Sequence, residues 1–89
     1  MSQRRYTVVH RVTFEEQLAA LWLSDHEVQR SIDELEPVLR IIPDQAGQPL
    51  YHHDEQFWHI EHRAIEILYK VVEDDCQVHL ISIRLARPH

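Results

Sequence analysis

The spacing of apolar positions changes twice along the chain. From Tyr6 to Val12 it alternates, with Tyr6, Val8, His10 and Val12 on one side and Thr7, Val9 and Arg11 on the other, a β-rich pattern that predicts a first strand. Phe14, Leu18, Leu21 and Trp22 then recur at helical intervals. Thr13 and Glu16 have the separation of a capping box, so a helix of about ten residues is expected to follow. Ser24 and Glu27 repeat that separation ahead of a second stripe, Val28, Ile32, Leu35 and Leu39, flanked by acidic residues. The two helices should form a hairpin with a very short turn. Pro37 has no N–H to give to a helical carbonyl, so it should kink the second helix or open a separate final turn before Pro43.

Residues 43–56 hold the only glycine and two of the four prolines and read as a loop. Alternation then returns. Residues 57–63 put Trp58, Ile60 and His62 on one face and Phe57, His59, Glu61 and Arg63 on the other. Residues 65–72 form the most apolar strand and 76–85 another, with Glu73, Asp74 and Asp75 in the turn between them. The expected fold class is α+β, in the order β-α-α-β-β-β. The last three strands form a small antiparallel meander, and the N-terminal helix hairpin packs on one of its faces. The first strand completes the sheet at an edge or beside the last strand.

At 89 residues with 44% hydrophobic content, residues 1–89 are expected to form a single domain. Fifteen acids against nine lysines and arginines give a formal charge of -6, the wrong sign for a generic phosphate-backbone binder. The acidity is uneven. Residues 1–12 sum to +3, residues 13–55 to -8 and residues 56–89 to -1, so the sheet surface opposite the helices is where cations could meet a polyanion. One cysteine, Cys76, excludes an internal disulfide and a cysteine-rich zinc site, and is expected to pack as a small hydrophobe. No apolar run approaches a membrane span or a signal-peptide core, so a cytoplasmic protein with no membrane contact is expected.

Of eight histidines, His52, His53, His59 and His62 lie within eleven positions. His59 and His62 point to opposite faces of their strand and no His-Glu-x-x-His helix is present, so neither a metal nor a cofactor is expected. As acid–base groups they fit better, because the imidazole titrates near neutrality and His59 shares its strand face with Glu61 and Arg63. RNA cleavage needs a base for a 2′-hydroxyl, an acid for the leaving oxygen and cations for the phosphate. The outer face offers His59 or Glu61 as base and Arg63 or Arg84 for phosphate charge, with His89 or Arg87 reaching in from the tail. The competing reading is a polar strand surface without chemistry.

The strand Tyr6 to Val12, the helix pair with Leu21-Trp22-Leu23 and the loop Pro43 to Leu50 lead into Trp58 to Arg63, Ile65 to Val72 and Val78 to Arg84. In that order and spacing the chain resembles the RelE/ParE superfamily, the toxins of type II toxin–antitoxin modules linked to plasmid stabilisation. The resemblance implies a small antiparallel sheet with an N-terminal helix hairpin and a cognate antitoxin as partner. In the RelE branch it implies an endoribonuclease, an mRNA interferase, that cuts mRNA on the ribosome. His59, Glu61, Arg63 and His89 would then be the catalytic candidates, with Arg84 and Arg87 binding RNA phosphate. His59 and Glu61 stand near positions where that branch often has lysine, and Glu66 where it often has arginine; some RNA-cleaving relatives use Glu and His instead. The ParE branch implies inhibition of DNA gyrase without RNA cleavage. A third expectation is a non-toxic, domesticated module that acts through protein contacts or as a homodimer through a sheet edge.

Overall fold

A computed structural model describes residues 5–22 and 26–86. Strand β1 (Thr7–His10) is followed by helices α1 (Val12–Trp22), α2 (Glu27–Ile41) and α3 (Pro43–Ala46). Four strands complete the chain: β2 (Gln48–His52), β3 (Glu55–His62), β4 (Ile65–Val72) and β5 (Gln77–Leu85). They make one five-stranded sheet in the order β1-β5-β4-β3-β2, antiparallel throughout except that β1 runs parallel to β5. The α+β fold, the C-terminal meander and the edge position of β1 beside the last strand are as the pattern predicts.

Periodicity explains the layering. In β4 the residues Ile65, Ile67 and Tyr69 are buried and alternate with the partly exposed Glu66, Leu68 and Lys70. The buried set joins Val78, Leu80 and Ile83 of β5 and Phe14, Leu18, Val28, Ile32, Leu35 and Leu39 of the helices in one apolar cluster. Burying such side chains contributes about 1.5–3 kcal/mol each. Because the helices take this face, the other face of the sheet is left open. Strand β1 ends at His10, so beyond Leu80 strand β5 has no neighbour on that side. Helix α1 supplies the missing acceptor, since the Ile83 N–H donates to Gln17 Oε1 at 2.9 Å.

The N-terminal elements differ from expectation in their boundaries. Helix α1 opens at Val12, which places Thr13 inside its first turn rather than at the cap. Ser24 lies outside the described residues. Helix α2 runs from Glu27 to Ile41 through Pro37 as one element, its Val28, Ile32, Leu35 and Leu39 stripe buried throughout. Burial of that stripe outweighs the cost of one lost helical hydrogen bond.

The span 43–56 is structured, where a loop was expected. Pro43 opens α3 at a position that suits its fixed φ and missing N–H. Strand β2 then pairs with β3 through the two-residue turn His53-Asp54, both at positive φ as a tight hairpin requires, without the usual Asn-Gly signature. Cys76 caps the turn Glu73–Asp75 in the left-handed region instead of starting β5, and is half-buried.

One contact fixes α3 to the sheet. The buried Tyr69 hydroxyl donates to the Pro43 carbonyl at 2.6 Å, and the ring stacks on Trp58 with centroids 6.4 Å apart. Burial, with the nearby Asp44 charge adding, pushes the phenol up to about 12 against the opposing hydrogen bond of the Gly47 backbone. Gly47 is required for space: a Cβ there would lie 2.6 Å from the Tyr69 hydroxyl oxygen and 2.8 Å from the His59 carbonyl oxygen. Tyr69→Phe, which strands the Pro43 carbonyl, should cost about 1–3 kcal/mol in urea denaturation. Gly47→Ala should cost about as much through overpacking. A Tyr69→Phe variant as stable as wild type would show that the hydroxyl contributes nothing.

Candidate functional site on the open sheet face

The pairing register lays out the open face residue by residue. Glu61 of β3 stands opposite Glu66 of β4, and Glu66 stands opposite Arg84 of β5. His59, two residues back along β3, pairs with Leu68, and Leu68 with Ser82. The side chains meet around Glu66. Its carboxylate accepts a hydrogen bond from Arg84 Nε through Oε2 and lies 3.5 Å from His59 Nε2 through Oε1. Directly opposed carboxylates repel; the Arg84 guanidinium offsets the Glu61–Glu66 pair. His59, Glu66, Ser82 and Arg84, floored by Leu50 and Leu68, line a depression of about 260 Å³.

The hydrogen bond from Arg84 holds the Glu66 carboxyl below its ordinary value of 4.5, with Arg84 and His59 charge reinforcing it and burial opposing it. Glu66 is therefore a fixed anion between a cation and an imidazole. Such a group can orient a histidine and stabilise the imidazolium that forms when the ring takes a proton. Arg84, with 72% of its side chain exposed, keeps further N–H groups for an incoming anion.

The structure brings together His59 and Arg84 of the sequence candidates, and places Glu61 beside them, exposed and without an ion-pair partner among the described residues. Arg63 lies elsewhere. It sits in the β3–β4 turn at φ 52°, which breaks the strand alternation, and its Nε donates to Glu34 of α2, as His62 Nε2 also does at 3.0 Å. Arg63 thus clamps a turn to a helix and does not share a face with His59 and Glu61. These contacts, the Arg63 hydrogen bond first and then that of His62, hold the Glu34 carboxyl below 4.5. His89 and Arg87 lie outside the described residues. Glu66 is the site residue that sequence reasoning passed over; its register partners Glu61 and Arg84 on the two flanking strands are the signal that identifies it.

A second group of polar residues shares the open face toward β1. Arg11 Nη1 lies 3.2 Å from His79 Nδ1, and His79 Nε2 lies 2.9 Å from Gln77 Oε1. Lys70 is 3.4 Å from Glu55 and sits 5.7 Å above the Phe57 ring. Among the described residues no group of three or more His, Cys, Asp or Glu could hold a metal ion.

The lowered carboxyl of Glu66 sets a pH dependence. A carboxylate whose pKa is lower folded than unfolded adds stability that is complete above about 4.5 and lost as pH falls toward the folded value. The stability difference between wild type and Glu66→Gln, followed by urea denaturation, should be largest at pH 7 and shrink steadily below pH about 4.5. A difference that stays constant from pH 7 to pH 3 would show that Arg84 and His59 do not hold the carboxylate.

No protein-family model and no curated protein sequence matches the chain. Solved structures do. A chain of the toxin–antitoxin complex RelBE2 from Mycobacterium tuberculosis superposes with a TM-score of 0.79 at 18% identity, covering 92% of this chain and 99% of that one. A chain of the archaeal RelE–RelB complex from Pyrococcus horikoshii gives 0.69 at 15% identity, over 91% and 94%. A conserved hypothetical protein from Helicobacter pylori, solved in solution, gives 0.57 at 14%, over 89% and 92%. With near-complete coverage of both chains in each match, this chain has the RelE-like fold of the two RelE–RelB complexes.

Proposed function

We propose that this protein is the toxin of a type II toxin–antitoxin pair and that its open sheet face cleaves RNA. The observation that carries the first part is the superposition on chains of two RelB–RelE complexes over nearly their whole length. A cognate antitoxin of the RelB kind is the partner this implies.

The His59–Glu66–Arg84 cluster supports the second part. With the His59 Nε2–H directed at Glu66, Nδ1 is the basic nitrogen and takes the proton of the RNA 2′-hydroxyl. The 2′-oxygen forms a bond to phosphorus while the bond to the 5′-oxygen breaks, leaving a 2′,3′-cyclic phosphate. Glu66 steadies the imidazolium, and Arg84 neutralises charge on the phosphoryl oxygens. The leaving 5′-oxygen is protonated by the His59 imidazolium directly or through water, or by His89 entering from the tail. Glu61 is the alternative base, and Arg87 a further phosphate contact. The substrate in this reading is mRNA on the ribosome, and the setting the cytoplasm. Among the described residues no helix is long and apolar enough to cross a membrane.

A second reading has an observation of its own. The open face carries Glu55, Glu61 and Glu66 against Arg11, Lys70 and Arg84, so its fixed charges cancel. Such a face suits a protein target as readily as RNA, and gyrase inhibition or a non-toxic binding role, including a homodimer through the exposed edge strand β2, would use it that way.

Induced expression in a bacterial host, with growth and mRNA integrity followed in one culture, separates these readings. Arrest with mRNA cut at codon positions is expected, and His59→Ala should lower the cleavage rate of purified protein by about 100-fold or more, the usual contribution of a general base. Arrest with intact mRNA would move the assignment to gyrase, and normal growth with soluble protein to a binding role. His59→Ala protein that cleaves at the wild-type rate would remove His59 from the site.

A further inference from the structure

Beside the His59–Glu66–Arg84 cluster, the open face holds a depression of about 300 Å³ lined by Arg11, Thr13, Lys70, His79 and Ile81. In a chain of net charge -6 its lining contains two permanent cations, an imidazole and a hydroxyl, and no carboxylate. The donors are ordered. Gln77 Oε1 accepts from His79 Nε2–H, which leaves His79 Nδ1 to accept from Arg11 Nη1–H, so the imidazole holds the guanidinium in place without neutralising it. Arg11 has no carboxylate partner among the described residues. Lys70 has one, Glu55 at 3.4 Å with 60% of its side chain exposed, a contact of the kind that contributes little and yields readily to a better anion.

We propose that this depression is a phosphate-binding subsite for the backbone of single-stranded RNA, separate from the phosphate that Arg84 meets. Arg11 gives the oriented, forked donor, Lys70 a mobile point charge and Thr13 a hydroxyl. Glu66 and Lys70 are four residues apart on β4, about 13 Å at the rise of a strand. The two sites therefore fall on one short stretch of strand-like backbone, and a few nucleotides span them. The Phe57 ring beneath Lys70 adds an apolar surface next to it. This assignment rests on the reading that the open face meets RNA, but not on any cleavage chemistry.

The test uses the whole protein and a 2′-O-methyl RNA of about eight nucleotides, which has no free 2′-hydroxyl and so reports binding alone. Its affinity is followed against salt concentration. Each phosphate contact to a single strand contributes about 0.7 to the slope of log K on log salt. Arg11→Ala and Lys70→Ala should each lower that slope by about 0.7 and weaken binding equally for all sequences, whereas Arg30→Ala, on the helical layer, should change neither. Unchanged slopes in both Arg11→Ala and Lys70→Ala would overturn the proposal, as would a wild-type protein that does not bind the oligonucleotide. Inorganic phosphate that shifts the Arg11 and His79 NMR signals without salt-dependent oligonucleotide binding would reassign the depression to a free anion and overturn the backbone role. Failure of the cleavage reading looks different: RNA left intact while the slope changes hold.

Discussion

The Tyr69 hydroxyl lies between the sheet and the helical layer, where it donates to the Pro43 carbonyl, while its ring stacks on Trp58 of the neighbouring strand. A buried phenol needs a hydrogen-bond partner, and that need places α3. The consequence reaches the open face through Gly47. Its backbone passes close to both the Tyr69 oxygen and the His59 carbonyl, and strand β2 starts at the next residue, with Gln48 paired to His59. The contact that seals the apolar side of the sheet also fixes the strand edge beside which His59 stands.

Charge is distributed in two tiers. Residues 13–55, mostly helical, carry a balance of -8, and carboxylates of α2 reach basic residues of the sheet and its turns, as Glu36 holds His10 at 2.7 Å and Glu34 holds Arg63 and His62. On the open face the arginines are treated differently. Arg84 is tied to Glu66, which limits its net attraction for a polyanion, whereas Arg11 is oriented by an imidazole rather than a carboxylate. One end of the face therefore has an imidazole beside a compensated cation, and the other has cations without that compensation. In the proposed reading, binding and chemistry fall to different residues.

Much of this was legible in the sequence. The alternation in 57–63, 65–72 and 76–85 gives the meander and identifies the face on which His59 and Glu61 stand. Three features were not, each for a local reason. The density of Pro and Gly in 43–56 conceals α3 and β2, because Pro43 serves as a helix start and Gly47 as a close-packing site rather than as loop residues. Arg63 leaves its expected face because a turn residue at positive φ does not continue the strand alternation. Glu66 stands among apolar neighbours in its own strand; the cross-strand register, which a single strand's pattern does not contain, sets it between His59 and Arg84.

The junction of the two halves of the open face depends on one irregularity in β5. Val78 and Leu80 are buried against the helices, so strict alternation would send Ser82 and Arg84 to the same side, into the apolar layer. Instead Leu68 pairs with Ser82 and Tyr69 with Leu80, which leaves Ile81 as an extra residue and reverses the phase. Ile83 becomes the buried residue, while Ser82 and Arg84 join His79 on the open side. The bulge falls next to Tyr69, whose hydroxyl anchors α3, and just before Ile83, whose N–H is bound by Gln17 of α1. Both helical contacts fix the strands at the point where the phase changes. Without that one-residue shift, Arg11, His79 and Lys70 would line one face and Arg84 would lie under the other, and the two polar groups would not share a surface.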